Sequence, residues 1–275
     1  MKPIEWMMHS ESMFINKFGN YLAYLMRFRY MLIEMIKKNF VGKYRNSILG
    51  YLWHVLSPLF LIVLLFVAFN TVFGRNIPNY WIYLSAAIFP LNFFISSVNG
   101  SALSITSNVQ MVSKMAFPRE ILVYSTIISN LITLVISYLL LLILIVVTGN
   151  QLTYWVLLVP FVFFFLFLFT TGVGLIVAAT NVYKRDVSYA VGMILMGLIY
   201  VTPCFYKIED MSEMLQTIVK INPLSYYTES LHELVYYGHC LNVIDYSTGA
   251  IIAVATFMFG MILFKKLEKG FTERL

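Results

Sequence analysis

His232, Glu233, His239 and Cys240 stand close together in the run HELVYYGHC, and residues of these types could ligate zinc or move protons. Structural zinc sites, however, hold their ligands at set Cys and His spacings, and this run matches none of them; His9 and His54 stand alone. A phosphate-cradling loop, GxxxxGK[ST], is absent from the sequence. ATP energy, if used, must therefore arrive from a partner. A membrane-embedded hydrolase would need ionisable groups at its site, yet the long apolar runs hold no Asp, Glu, Lys or Arg. The same lack argues against coupling to protons or sodium, which relies on ionisable side chains at membrane depth.

What remains inside the apolar runs is uncharged polarity. One run, WIYLSAAIFPLNFFISSVNGSALSITSNV, carries Ser85, Asn92, Ser96, Ser97, Asn99, Ser101, Ser104 and Thr106, with Pro90 and Gly100. A helix so decorated is poorly suited to face lipid all round, and Ser85, Asn92, Ser96, Ser97 and Asn99 are candidates to line a polar route. Packing of helix against helix uses the same small hydroxylic residues, so both uses stand open. The chain is also 17% aromatic, and aromatic faces suit sugars by pairing an apolar surface with a polar edge.

These residues need elements to position them. The chain has 275 residues, 60% hydrophobic and only 12% charged, whereas an ordinary soluble domain is about 25% charged. That composition predicts a multi-spanning membrane protein. The net charge of +6 does not imply nucleic acid, because the cations are scattered among apolar runs rather than gathered on one face. Runs of about 20 apolar residues fall at roughly 52–73, 80–107, 121–148, 154–180, 188–206 and 246–264. GRNIPN and TGNQLT are turn-forming, so each flanking pair of spans is expected to form an antiparallel hairpin. The N-terminal segment MKPIEWMMHSESMF lacks the apolar core of a cleavable signal.

Lys and Arg distribution sets the orientation. Eight precede Tyr51, two lie in each of the loops after spans two and four, and four lie in the tail, against three on the other side (Arg75, Lys207 and Lys220). Both termini are therefore expected on the cytoplasmic side. Before span one, Leu25, Phe28, Leu32, Met35, Ile36 and Phe40 form one helical stripe, with Arg27, Tyr30, Glu34 and Lys38 opposite. This predicts an amphipathic helix within 21–45 lying on the inner leaflet or packed on a soluble partner. Lys43 and Arg45 end that segment, and Gly50 and Pro58 would let the chain turn into span one with Trp53 at headgroup level.

The segment 207–245 predicts two short helices. One, with Met211, Leu215, Ile218 and Val219 on its apolar face, ends near NPLSYY; the other runs over 228–238, capped by Thr228 and stopped by Gly238. Cys204 and Cys240 fall near the same surface and could pair, although two unpatterned cysteines carry little framework information. In the loop after span two, Lys114 and Arg119 flank Phe117, and Pro118 ends any short helix before it. An aromatic knob between cations would plug a groove on a soluble partner; ordinary topology charge is the bland alternative.

Several stretches together resemble one family, the membrane permease of ABC type-2 exporters of lipid-linked polysaccharides such as O-antigen, capsule and teichoic acid. They are KYRNSILGYLWHVLSPL (43–59), VSKMAFPREI (112–121), NVYKRDVSY (181–189), TPCFY (202–206), INPLSYYTESLHELVYYG (221–238) and the tail EKGFTERL. Thr202 stands where that family often has Ser, and His232 or Glu233 where it often has Arg. The resemblance covers nearly the whole chain.

It implies an all-α integral membrane protein: six transmembrane helices in a single domain over 1–275, an interfacial N-terminal helix and outer gate helices between spans five and six. It implies no catalytic, cofactor or metal residues in this chain, ATP and Mg residing on a separate ATPase present in two copies. It further implies a homodimer, contact with membrane lipid and a lipid-linked glycan, no nucleic acid, and the inner membrane of a prokaryote. By position the coupling segment would be Lys114, Phe117, Pro118, Arg119 and Glu120, and the cytoplasmic mouth Lys43, Tyr44, Arg45, Gly50 and Trp53. The outer gate would be Pro203, Phe205, Tyr206, Asn222, Pro223, Tyr226 and Tyr227. The competing readings are an ABC type-2 exporter of drugs or small lipids, and a multi-span glycan or lipid transferase.

Overall fold

The computed structural model of the protein describes residues 26–42, 52–68, 79–208 and 212–274. Among these residues every regular element is helical. In chain order they are α1 (Arg29–Gly42), α2 (Trp53–Val67), α3 (Tyr80–Ser104), α4 (Val109–Lys114), α5 (Glu120–Val147), α6 (Val159–Tyr183, led by a 3-10 turn Tyr154–Leu158) and α7 (Asp186–Val201). After α7 come α8 (Glu213–Ile221), α9 (Pro223–Leu231, continued as a π-helical turn His232–Tyr237), α10 (Val243–Glu268) and the short α11 (Phe271–Arg274).

Among the described residues, four helices are long and apolar enough to cross a membrane: α3, α5, α6 with its leading turn, and α10, of 25, 28, 30 and 26 residues. At about 1.5 Å per residue each exceeds a ~30 Å hydrocarbon core. Among the described residues α2 and α7 are shorter apolar helices; α7, with 16 residues, reaches only about 24 Å. Among the described residues, four of the six runs are full-length helices, the run 188–206 holds the shorter α7, and the run 52–73 is described only as far as residue 68.

Burial assigns each helix its place. In α3, 83% of the apolar window is buried, against 22% in α10, so the helix richest in Ser and Asn is the central post of the bundle. Its neighbours are α5 on one side and α6 on the other. The tightest joint is α6 on α10: a Cβ on Gly260 would come within 2.4 Å of the Gly172 carbonyl oxygen, and one on Gly172 within 2.6 Å of the Phe257 nitrogen. Two glycines thereby bring backbone onto backbone, which dispersion between helices requires where lipid supplies no hydrophobic drive.

Helix ends follow local chemistry. Gly149, at φ 80, terminates α5, with Asn150 N–H donating to Ile145 O at 3.1 Å. Asn242 caps α10 by accepting from Ile244 N–H. Most span hydroxyls bond back to their own helix, as Ser85 Oγ does to Trp81 O at 2.7 Å and Thr170 Oγ1 to Leu166 O. Such hydroxyls are satisfied without any neighbour.

The amphipathic stripe before span one has the expected sides. Phe28, Leu32, Met35, Ile36 and Phe40 are half-buried while Arg27, Tyr30, Glu34 and Lys38 are exposed, and Leu25 lies outside the described residues. The buried stripe packs on α5, where Asn39 Nδ2 donates to Ser125 Oγ at 3.2 Å and Ser129 Oγ donates to Ile36 O at 3.2 Å. Two expectations are corrected. Pro58 is inside α2 rather than at the turn before it. The second outer helix starts at Pro223, not Thr228, because Asn222 is the cap: its Oδ1 accepts from Leu224 N–H at 3.1 Å, and Pro suits the first helical position. Thr228 is buried mid-helix, but Gly238 ends the unit at φ 67 as expected.

Candidate functional site

A polar groove runs beside the central post. Along α3, Asn92, Ser96 and Asn99 recur at helical spacing, and along α5 so do Thr126, Asn130, Thr133 and Ser137. These two stripes face each other across two cavities. One, of ≈ 200 Å³, is lined by Trp53, Ser57, Asn92, Ser96, Asn130, Thr133 and apolar neighbours from α2. The other, of ≈ 510 Å³, is lined by Asn39, Ser96, Asn99, Asn130 and the hydroxyls of α5. Ser96 and Asn130 border both, so the two cavities adjoin along one trough between α3 and α5, flanked by α1 and α2. Among the described residues, the side chains of Asn92, Ser96, Asn99 and Asn130 make no hydrogen bond. Their donors and acceptors are left for whatever occupies the trough.

Five pathway candidates were named from sequence, and the structure divides them. Asn92, Ser96 and Asn99 line the groove. Ser85 and Ser97 do not: both are fully buried, Ser85 bonded to its own helix. On the same buried side of α3, Ser101 lies where a Cβ on Gly174 would meet its Oγ at 2.8 Å, so small residues there bring α3 against α6. Asn39, Asn130, Thr133 and Ser137 were not anticipated, although the polar period in 126–137 was open to view.

At one end of the bundle the proposed gate residues form a packed plate. Tyr83 Oη donates to Tyr206 O at 2.9 Å, and Tyr80 Oη donates to Phe205 O. Thr202, Pro203 and Cys204 are buried. Asn222 Nδ2 reaches Thr202 Oγ1 at 3.0 Å, Tyr226 Oη donates to Lys220 O and Tyr227 Oη to Gly249 O. His232 is fully buried, stacked on the Tyr83 ring at 3.7 Å, with its two ring nitrogens 3.2 Å from Glu229 Oε1 and 3.1 Å from Tyr83 O. It is a bolt between α9 and α3. Glu233 accepts from Asn242 N–H at 2.8 Å, and burial, the largest influence, pushes its carboxyl above the ordinary range. Cys204 is buried and Cys240 exposed, both as free thiols. The α8 helix is mostly exposed, Val219 being its buried residue.

At the other end, the segment between α4 and α5 is tied to the end of α10. Glu120, fully buried, accepts from Lys265 Nζ at 2.7 Å, and the same ammonium reaches Glu268 Oε2 at 3.0 Å. Arg119 donates to Glu268 O at 2.6 Å and lies over the Phe271 ring. Phe117 is buried, 8% exposed, and so is Pro118; the expected aromatic knob is therefore part of the apolar core. Lys114, Met115 and Ala116 are the exposed part of the segment. Of the mouth residues, Trp53 is exposed and borders the groove, while Lys43, Tyr44, Arg45 and Gly50 lie outside the described residues.

The architecture has known relatives. Residues 30–236 match the family described as ABC-2 type transporter. An O-antigen export system permease protein RfbA of Klebsiella pneumoniae is 30% identical, over 89% of this chain and 95% of its own length. The chain belongs to the ABC-2 type transporter family. Another RfbA of that description, from Myxococcus xanthus, is 29% identical over 79% of the chain and 84% of its own length. The polysialic acid transport protein KpsM of Escherichia coli is 22% identical over 83% of the chain and 89% of its own length.

In this ABC-2 chain several motif residues serve as joints. Asn181 of the NVYKRDVSY stretch donates to Ala102 O at 2.7 Å and accepts from Ser188 N–H at 3.1 Å, fixing the α6–α7 turn against α3. Arg185 and Asp186 are both exposed there. Phe271 of the ABC-2 tail is fully buried between Phe264 and Tyr183. Lys265 and Glu268 were not singled out from sequence; a Lys directly after an apolar run reads as topology charge until its partner across the fold is seen.

Proposed function

We propose that this ABC-2 chain is the permease of an ATP-driven exporter that moves a lipid-linked polysaccharide, of O-antigen, capsule or teichoic acid type, across the cytoplasmic membrane of a prokaryote. The observation that carries the reading is the uncharged groove: Asn92, Ser96, Asn99 and Asn130 offer unused amides and hydroxyls along a trough beside the central helix. Sugar hydroxyls are both donors and acceptors, as these side chains are. Relatives named for O-antigen export and polysialic acid transport support the same class.

On this reading two copies of the chain face each other, so that their grooves enclose one path, and two copies of a separate ATPase dock at the charge-rich cytoplasmic side. The exposed Lys114, Met115 and Ala116 contact the ATPase. Arg119 and Glu120, locked to Glu268 and Lys265, carry its motion into α5 and α10 together. The plate of α8, α9 and Tyr80, Tyr83, Phe205 and Tyr206 forms the outer gate. The chain itself does no chemistry.

The test is co-expression with and without an ABC ATPase of the same exporter class, in cells that make the glycan, with surface polysaccharide as the readout. Export is expected only with the ATPase. Export that persists without it would overturn the reading.

A further inference from the structure

The groove differs from a general polar channel in one respect, the chemistry of its charges. Its wall is built of amides and hydroxyls from Asn39, Asn92, Ser96, Asn99, Asn130 and Thr133, with aromatic and aliphatic neighbours. No Lys, Arg, Asp or Glu borders either cavity among the described residues. The sequence extends this beyond the described residues: between Arg45 and Lys114 the only cation is Arg75, and between Arg119 and Lys184 there is none. Lys38, an exposed cation at the rim, is held by Asn108, which borders the larger cavity, with Nζ 3.0 Å from its Oδ1.

An ionised carboxylate on every repeat, taken along such a wall, would lose water and meet no Lys or Arg among the residues lining the two cavities, and that loss is large in a low-dielectric setting. A sugar hydroxyl loses much less, because an amide or hydroxyl of the wall replaces each water contact. Neutral hydrogen bonds are also individually weak, so a chain held by them can exchange partners and slide. Four side chains without hydrogen-bond partners among the described residues, on two facing helices, are the fixed half of that exchange.

We propose that the repeat units this groove accepts are uncharged, hydroxyl-rich sugars, and that polyanionic glycans are excluded by the wall itself. This rests on the export reading above and narrows it: within that class it selects neutral O-antigen or capsule chains and drops teichoic acid and acidic capsules, so this chain would differ in substrate from the 22% identical polysialic acid relative. Asn130 and Ser96, which border both cavities, are the residues on which the restriction centres. A cation at Asn130 would supply the missing partner for an anionic repeat.

The test uses the chain with its ATPase in a host that makes two lipid-linked polymers in turn, a neutral hexose homopolymer and one of similar length with a hexuronic acid in each repeat. Surface polymer is measured per unit of lipid-linked precursor inside. The neutral polymer is expected to be exported about tenfold or more better than the acidic one, and Asn130→Lys is expected to raise the acidic-to-neutral ratio. Equal export of both polymers would overturn the restriction while leaving the export reading intact. Export of neither would overturn the export reading and the restriction with it. The two-polymer comparison needs no variant, so it decides the matter even if Asn130→Lys does not reach the membrane.

Discussion

Lys265 Nζ sits 2.7 Å from Oε1 of Glu120, a fully buried carboxylate at the first residue of α5. The bond joins positions 145 apart in sequence and, with Arg119 on the Glu268 carbonyl oxygen, makes the ends of α5 and α10 one body. Removing one partner of a buried ion pair costs about 3–5 kcal/mol. Lys265 is 39% exposed, so solvent screening reduces the expected cost of Lys265→Met to roughly 2 kcal/mol. The variant should unfold at lower temperature in detergent, and Glu120→Gln in the same background should restore part of the loss. Additive losses from the two changes would show that the pair is not coupled.

Phe117 and Met115 are two residues apart and should behave oppositely. Phe117 is buried and Met115 is 55% exposed. Phe117→Ala should cost about 3 kcal/mol or more of stability, as large-to-small core changes do. Met115→Asp should leave the melting temperature within a degree or so, since exposed positions tolerate change, and should weaken co-purification of the ATPase. A stable Phe117→Ala chain that loses the ATPase would restore the exposed-knob view.

Gly172 and Gly260 admit no side chain. The nearest atoms to a Cβ at either site are backbone, which cannot rotate away. Gly260→Ala should therefore separate α6 from α10 at a cost of about 1–3 kcal/mol or more. At Gly42, where nothing lies within 4 Å of a Cβ, Ala should be neutral or slightly stabilising by propensity. Equal melting temperatures for the two variants would contradict the close contact.

Glu233 sets a pH dependence at the α9 end. Its carboxyl is pushed up by burial, so the folded chain releases this proton less readily than the unfolded one. The stability it contributes is complete at acid pH and is lost as pH rises from the ordinary carboxylate range through the elevated folded value. Glu233→Gln should flatten that slope in a melting series from acid to neutral pH. An unchanged slope would place the pH response elsewhere.

Much of this architecture was legible because lipid-spanning helices write their period and length into composition. The runs that became α3, α5, α6 and α10 were found within a few residues of their ends, as was the stripe of Phe28, Leu32, Met35 and Ile36. Gly238 as a stop was legible because a left-handed residue there all but requires glycine. The Asn222 cap was missed because Thr228 is as good a cap by type, and only the bond to Leu224 N–H distinguishes them. Asn92, Ser96 and Asn99 were found by their residue types, but so were Ser85 and Ser97, which the fold turns inward.

The sequence by itself determined that this is a helical membrane protein without charge in its spans, because transfer of every ionisable side chain into lipid is costly enough to show in composition. Tertiary structure alone decided which uncharged groups are spent on packing and which remain available. Ser85 and Asn92 have the same polarity and nearly the same address, yet one is bonded to Trp81 O and the other faces a cavity. That difference depends on which neighbouring helix covers each face of α3, and contacts such as Gly172 on Gly260 or Glu120 on Lys265 arise only when distant segments meet.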